Sequence, residues 1–379
     1  MFDKVTNESY GDAIRGAHTA IPRLLALFQD REIHATWATV GMVSGYHLNN
    51  LRDLCPLLPN QPQYIRTELS AYQHLAAMKY EEEVDLELYL APELIEQIVA
   101  TPGQELASHT FGHYYCLEAQ VPESDPTETF TADALAEQQA LERFGVSPRS
   151  IVFPRNQWTP EALAVLKRLD FVAYRGTENH LLYRARNDFA QNNRLVRALR
   201  LIDHYVNISG HHTYTLAKVN RNQQPLINVP ASRFLRPHSR WLAFLRPLQL
   251  HRIKRAMTKA AKRNEIFHLW WHPHNFGRNQ KQNFAMLESI LDHYAVLHER
   301  YGWQSANMQE VADPHPEEAV AAVIKAAANR PSDTQKSAAH PSRPASPKPQ
   351  KAEPEVVHLQ PTSDEPPEPT RHLNPKLTE

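Results

Sequence analysis

Only two cysteines, Cys55 and Cys116, occur in 379 residues. Two thiols cannot build a disulfide framework, and neither stands in a C-x-x-C or other metal-ligating spacing. A stapled secreted fold is thereby excluded, and a reducing compartment is expected. Nowhere do about 18 apolar residues run uninterrupted. The opening residues, MFDKVTNESYGDAIRG, lack the apolar core of a signal peptide. The chain therefore reads as cytoplasmic, with no transmembrane segment. An excess of one charge sign is also missing, since Lys plus Arg total 41 against 42 Asp plus Glu. No global field draws the protein to nucleic acid or to a membrane.

What is present is an apolar content of 42%, enough for a sizeable core in one large domain or two ordinary ones, together with 21 histidines. Composition breaks once, near residue 314. Residues 331–379 are dense in Pro, Ser, Ala and charge, with too few large apolar side chains to offset ordering entropy, and read as a disordered tail. Between them and the body, 314–330 is expected to be a linker with a short helix, PEEAVAAVIKAAANR, at 316–330. Its apolar positions are mostly Ala and Val, so any docking is weak.

Within 1–313, short apolar runs alternate with helical patterns. TAIPRLLALFQ has Thr19 as a candidate N-cap and Pro22 in the first turn, with Ile21, Leu24, Leu25 and Phe28 at helical spacing. The β-type run IHATWATVG, 33–41, follows at once. PELIEQIVA then leads to QELASH, a helix starting near Thr131 and stopping by Gly145 leads to SIVFP, and TPEALAVLKRLDF, opened by Thr159 and Pro160, leads to FVAYRG. Near the end IFHLWWH precedes the amphipathic FAMLESILDHYAVLHERYG. Such alternation implies parallel strands joined by crossover helices, most economically an α/β barrel.

In that architecture the loops at the carboxyl ends of strands share one mouth. His109 stands where QELAS ends. PRNQW (154–158), YRGTE (174–178) and HPHNF (272–276) end other strands. His109 and His113 are four apart, a spacing that on a helix would offer two imidazoles to adjacent corners of a metal ion, with Ser108 and Thr110 as flanking hydrogen-bond partners. Alone, this spacing also fits solvated or capping histidines.

HTFGH resembles the H-[ST]-x-x-H signature of the polysaccharide deacetylase family, carbohydrate esterase family 4. IPRLLALFQDREIHATWATVG is similar to that family's first crossover helix and second strand, and FHLWWHPHNFG occupies the place of its last motif. The likeness runs from about residue 3 to 310. It implies a distorted (β/α) barrel with fewer than eight complete strands over 1–313. It also implies a divalent metal, commonly zinc, with His109 and His113 as ligands, and His272 as the proton donor to a departing amine. His274 is a substitute for that role or a substrate contact, and His268 is better read as a core position. By strand parity with His272, Trp270 faces an N-acetylated carbohydrate substrate and Trp271 the core.

The family's first motif, a strand ending in paired acids that supply a third ligand and a general base, has no counterpart before the first helix here. Asp3 and Glu8 are the nearest substitutes, and an active protein is expected to carry such a strand upstream of Met1. FPRNQW inverts the family's third motif, leaving Arg155 either to pair with a carboxylate or substrate anion or to form a surface ion pair. The acid that orients the catalytic histidine could be Glu178 or Asp203. Between Asp203 and Glu265 there is no acidic residue but a dozen Lys and Arg. An anionic substrate or a solvated helix face both account for that stretch, and no nucleic-acid recognition motif accompanies it. Three readings of function follow: a metal-dependent N-deacetylase of surface polysaccharide metabolism, a degenerate relative that binds carbohydrate or a protein through the same cleft, or a hydrolase of a non-sugar amide or ester.

Overall fold

A computed structural model describes residues 7–312, apart from 120, 122–123, 184–193 and 221–224. The chain divides into two units, Met1–Val323 and Ile324–Glu379, of which the second lies wholly outside the described residues. The expected helix at 316–330 and tail at 331–379 fall there too.

The first helix, α1, runs Asn7–Asp30. It begins a dozen residues before the capping signal at Thr19 because the apolar stripe extends back through Ala13 and Ala17, both buried with Ala20, Ile21, Leu24, Leu25 and Phe28. Pro22 is consequently interior, where its missing N–H costs about 3 kcal/mol that burial of the stripe must offset. Next come β1 (Ala35–Thr39), α2 (Leu48–Leu54), α3 (Ala71–Ala77), α4 (Pro92–Ala100) and β2 (Gln104–Ser108). Helix α5 spans Pro126–Glu142 and starts ahead of Thr131 because Asp125 caps it, accepting the N–H groups of Thr127 and Glu128 with Pro126 at the first position. β3 (Ser150–Ile151), α6 (Pro160–Arg168, capped by Thr159 as its sequence foretells) and β4 (Ala173–Tyr174) complete the first half.

The second half holds α7 (Arg194–Asp203), β5 (Tyr214–Thr215), α8 (Leu216–Asn220), β6 (Ile227–Asn228) and β7 (Arg233–Phe234). It continues with α9 (Arg246–Arg263), β8 (Glu265–Ile266), β9 (Leu269–Trp270), the single turn α10 (His274–Gly277), α11 (Gln280–Tyr301) and α12 (Met308–Ala312). No helix among the described residues is long and apolar enough to cross a membrane.

The central sheet is parallel in the order β1-β2-β3-β4-β6, with Ala35 beside Gln104 and Thr39 beside Ser108 in its first pair. The wall then continues along one segment, since Ala231 N–H reaches Gly176 O, Ser232 N–H reaches His268 O, and β7 pairs in parallel with β9. Strand pairing does not link β9 back to β1 among the described residues. Phe28 bridges that gap instead, with ring centroids 6.2 Å from both Trp37 of β1 and Trp271 beyond β9. The result is the α/β distorted barrel expected, with a parallel wall whose carboxyl ends open on one side. A short antiparallel pair, β5 with β8, lies outside it.

Candidate active site

His109 and His113 lie in a loop, not on a helix as their spacing suggested. Thr110 (φ 64°) and His113 (φ 56°) take left-handed backbone conformations, so a tight turn brings the two rings together with centroids 4.8 Å apart. Two carboxylates of α5 hold that turn. Asp133 accepts the N–H of Phe111 at 2.8 Å and of Gly112 at 2.9 Å, plus the Tyr72 hydroxyl at 2.7 Å. Glu137 accepts the Ser108 hydroxyl and the His109 N–H. Neither Ser108 nor Thr110 bonds an imidazole, correcting the role expected of them: Ser108 Oγ accepts Thr110 N–H, and Thr110 Oγ1 accepts Tyr114 N–H. His109 N–H still reaches Thr39 O of β1 at 2.9 Å, but beyond it the loop leaves the sheet, and side chains take the N–H groups of Thr110, Phe111, Gly112 and Tyr114.

His109 Nδ1 meets the carbonyl of Val152 beyond β3, at 2.5 Å. A carbonyl only accepts, so Nδ1 carries the proton and Nε2 keeps a free lone pair, the arrangement that orients a histidine ligand. Burial pushes the pKa of His109 down to about 4 and that of His113 well below its ordinary value, leaving both rings neutral. His113 Nδ1 is buried with no hydrogen-bond partner. Two imidazole donors thus fit part of a metal site. Among the described residues no cluster of three His, Cys, Asp or Glu completes it. Asp3 lies outside those residues, and so does the side chain of Glu8.

The opposite side of the mouth comes from β9. His272 stacks on His274 with centroids 5.1 Å apart and planes within 9°, and it stands edge-on to Trp270 at 5.6 Å. Phe234 of β7 packs beside Trp270 (4.7 Å) and His272 (6.1 Å). His272 is exposed. Those crowding rings, and the nearby His274 and Arg175, push its pKa below the usual histidine value. Trp271 turns the other way into the core against Phe28 and Phe276. His268 is half-buried, its own N–H donating to Ser232 Oγ.

Arg155 has φ 51°, and its guanidinium covers the ring of Tyr115 at 4.5 Å, which in turn meets His113 edge-on at 4.9 Å. Sequence reasoning passed over Arg175. Its guanidinium lies 4.3 Å from the Trp270 centroid and donates to Asn156 Oδ1 at 3.0 Å, and burial pushes its pKa down to about 10. It contributes positive potential at His109 and His272 alike. Tyr10, edge-on to His274 at 4.9 Å, was passed over too. Position at a strand end was the only signal for Arg175.

Of the two acids offered as partner to His272, Asp203 is committed elsewhere. It binds Arg233 at 2.8 Å and Arg252 at 3.0 Å, and accepts from Tyr183, Ser209 and Ile208. Glu178 is buried, and its charge acts on Arg175. Two members of the basic stretch, Arg233 and Arg252, are therefore internal counter-ions to Asp203 and are not exposed to an anionic ligand.

The parallel barrel thus gathers at its strand ends a histidine pair, a histidine–tryptophan cluster and two arginines. Residues 2–174 match the family model described as polysaccharide deacetylase, so the family resemblance holds over that stretch. Its span supports a deacetylase-type hydrolase and includes His109, His113 and Arg155. Trp270, His272 and His274 lie beyond it. The chain is also similar to a solved structure from Mycobacterium smegmatis described as a "putative polysaccharide deacetylase", with 15% identity, 82% of this chain and 79% of that chain covered, and a TM-score of 0.46. No curated protein matches.

Proposed function

We propose that the protein is a metal-dependent N-deacetylase acting on an acetylated sugar of surface polysaccharide metabolism. One observation carries this: two neutral imidazoles converge at a strand end, with His109 Nδ1 tied to Val152 O so that Nε2 is presented to the mouth. His109 and His113 would hold the ion, zinc by preference for imidazole donors. When bound, such an ion polarises an amide carbonyl and acidifies water.

The chain's own groups do the rest. Trp270 and Phe234 offer aromatic faces to a sugar ring, and the Arg175 guanidinium against Trp270 fixes that platform. Water oxygen would bond to the acetyl carbon as one of its protons passes to the neutral His272 imidazole, which would hand a proton to the amine nitrogen as the C–N bond breaks, leaving free amine and acetic acid. Arg155 and Arg175 set a positive field that favours anionic sugars.

Acetate release from chitooligosaccharides and nucleotide-linked N-acetyl sugars tests the reading, together with the metal content of purified protein. Turnover that falls at least about a hundredfold in both His109→Ala and His113→Ala supports it. The second reading is a carbohydrate-binding relative without turnover, favoured by the absence of a third donor among the described residues. Metal-free protein that binds the sugars and releases no acetate would establish that reading instead.

A further inference from the structure

Trp241 and Phe244 are 76% and 75% exposed. They lie in the 3-10 helix Arg240–Leu245, where residues three apart eclipse, and Leu248 extends the same stripe into α9. A second exposed apolar set, Ile202, Val206 and Ile208, comes from the end of α7 and the loop after it. The segments that carry the two sets touch each other. Arg252, one turn beyond Leu248, donates to Asn207 Oδ1 at 3.1 Å, and Tyr205 hydrogen-bonds Arg236. A run of rings leads from this segment to the mouth: buried His204, between Ile202 and Val206, has its ring 6.0 Å from Phe234, which is 6.1 Å from His272.

Charge selects the occupant. Residues 204–264 contain no carboxylate. Arg240 is exposed and lies over the Trp241 ring at 5.0 Å, and half-buried Arg236 and Arg246 flank the stripe, Arg246 also donating to Gln282 O at 2.6 Å. Of the two acids that bound this stretch, Asp203 is buried and spent on Arg233 and Arg252, and Glu265 accepts the Thr213 hydroxyl. A second copy of this face would meet it with like charge, which costs binding. Aromatic side chains at headgroup level, with arginines whose stems lie along apolar surface, suit a negatively charged lipid interface.

We propose that this face docks the protein on an anionic phospholipid bilayer, placing the mouth beside the membrane surface. The proposal goes beyond the deacetylase reading and does not rest on it, since its test needs no turnover. The full chain is sedimented with vesicles of phosphatidylcholine alone and of phosphatidylcholine mixed with phosphatidylglycerol. Pelleting with the mixed vesicles only, weakened by high salt, is expected. Combined Trp241→Ala and Phe244→Ala should lower that partitioning at least about tenfold with an unchanged thermal midpoint, both side chains being exposed. Failure to pellet with anionic vesicles, or equal pelleting of the double variant, overturns the proposal. So does a concentration-dependent dimer abolished by the same two substitutions, which would assign the face to a second copy.

Discussion

Glu137 on α5 accepts the backbone N–H of His109 at 3.1 Å while its second oxygen takes the Ser108 hydroxyl. A buried carboxylate thus fixes the point where β2 gives way to the histidine turn, and burial raises its pKa well above the ordinary carboxylate value. Glu137→Ala would leave the Ser108 hydroxyl buried without its acceptor, while the His109 N–H would keep only the Thr39 carbonyl, at 2.9 Å. A loss of about 3 kcal/mol is expected in equilibrium urea unfolding, with a weaker zinc titration from the loosened turn. A change below about 0.5 kcal/mol, the range of an ordinary surface substitution, would show that the turn holds itself.

How legible this was depends on the kind of signal. The alternation of apolar runs with helical patterns foretold the parallel wall, and Thr159 with Pro160 marked the start of α6. His109 and His113 were legible as a pair but for the wrong geometric reason, because two left-handed residues substitute for a helix turn. Asp133 and Glu137 left a trace that went unused: they fall at helical spacing with buried Phe130, Ala134, Ala140 and Leu141, so carboxylates stand on the apolar face of α5. Arg175 against Trp270 joins segments almost a hundred residues apart, and only the barrel brings them together. The inward role of Arg233 and Arg252 within the basic stretch was hidden for the same reason, since their burial against Asp203 is a tertiary fact.

Asp203 should govern part of the acid stability. Burial pushes its pKa up, but hydrogen bonds from Tyr183, Ser209 and Arg233 more than reverse this and hold it below the usual carboxylate range. With the folded pKa below the unfolded value of about 3.9, the folded state binds fewer protons. Its contribution is therefore present above about pH 4 and lost as pH falls through the folded pKa. Thermal midpoints measured down from pH 5 should fall more steeply in the native protein than in Asp203→Asn. At pH 7, Asp203→Ala strands two buried guanidinium groups and is expected to cost about 3–5 kcal/mol.

Gly16 of α1 and Gly277 of α10 let two backbones touch. A Cβ on Gly16 would collide with the carbonyl of Gly277, and one on Gly277 with the carbonyl of Ala13. Gly277→Ala must push α10 away from α1, and α10 begins at His274. Destabilisation of about 1–3 kcal/mol is expected. If the proposed mouth is the active site, turnover should also fall while the His109 and His113 metal content is kept. Unchanged turnover would detach His274 from the chemistry.

The two thiols should be slow to react in the folded chain. Burial pushes Cys55 up to about 11, and Cys55 Sγ donates to Leu51 O at 3.2 Å. Cys116 is raised further by burial and by the nearby Asp133 charge. Since the thiolate is the nucleophile, alkylation by iodoacetamide at pH 8 should run about a hundredfold slower in native protein than in urea. Mass spectrometry of the time course separates the two sites, and Cys55, half-buried, should be modified before Cys116. Rapid native labelling of Cys116 would mean that the loop carrying His109 and His113, which ends beside it, opens on the time scale of the reaction.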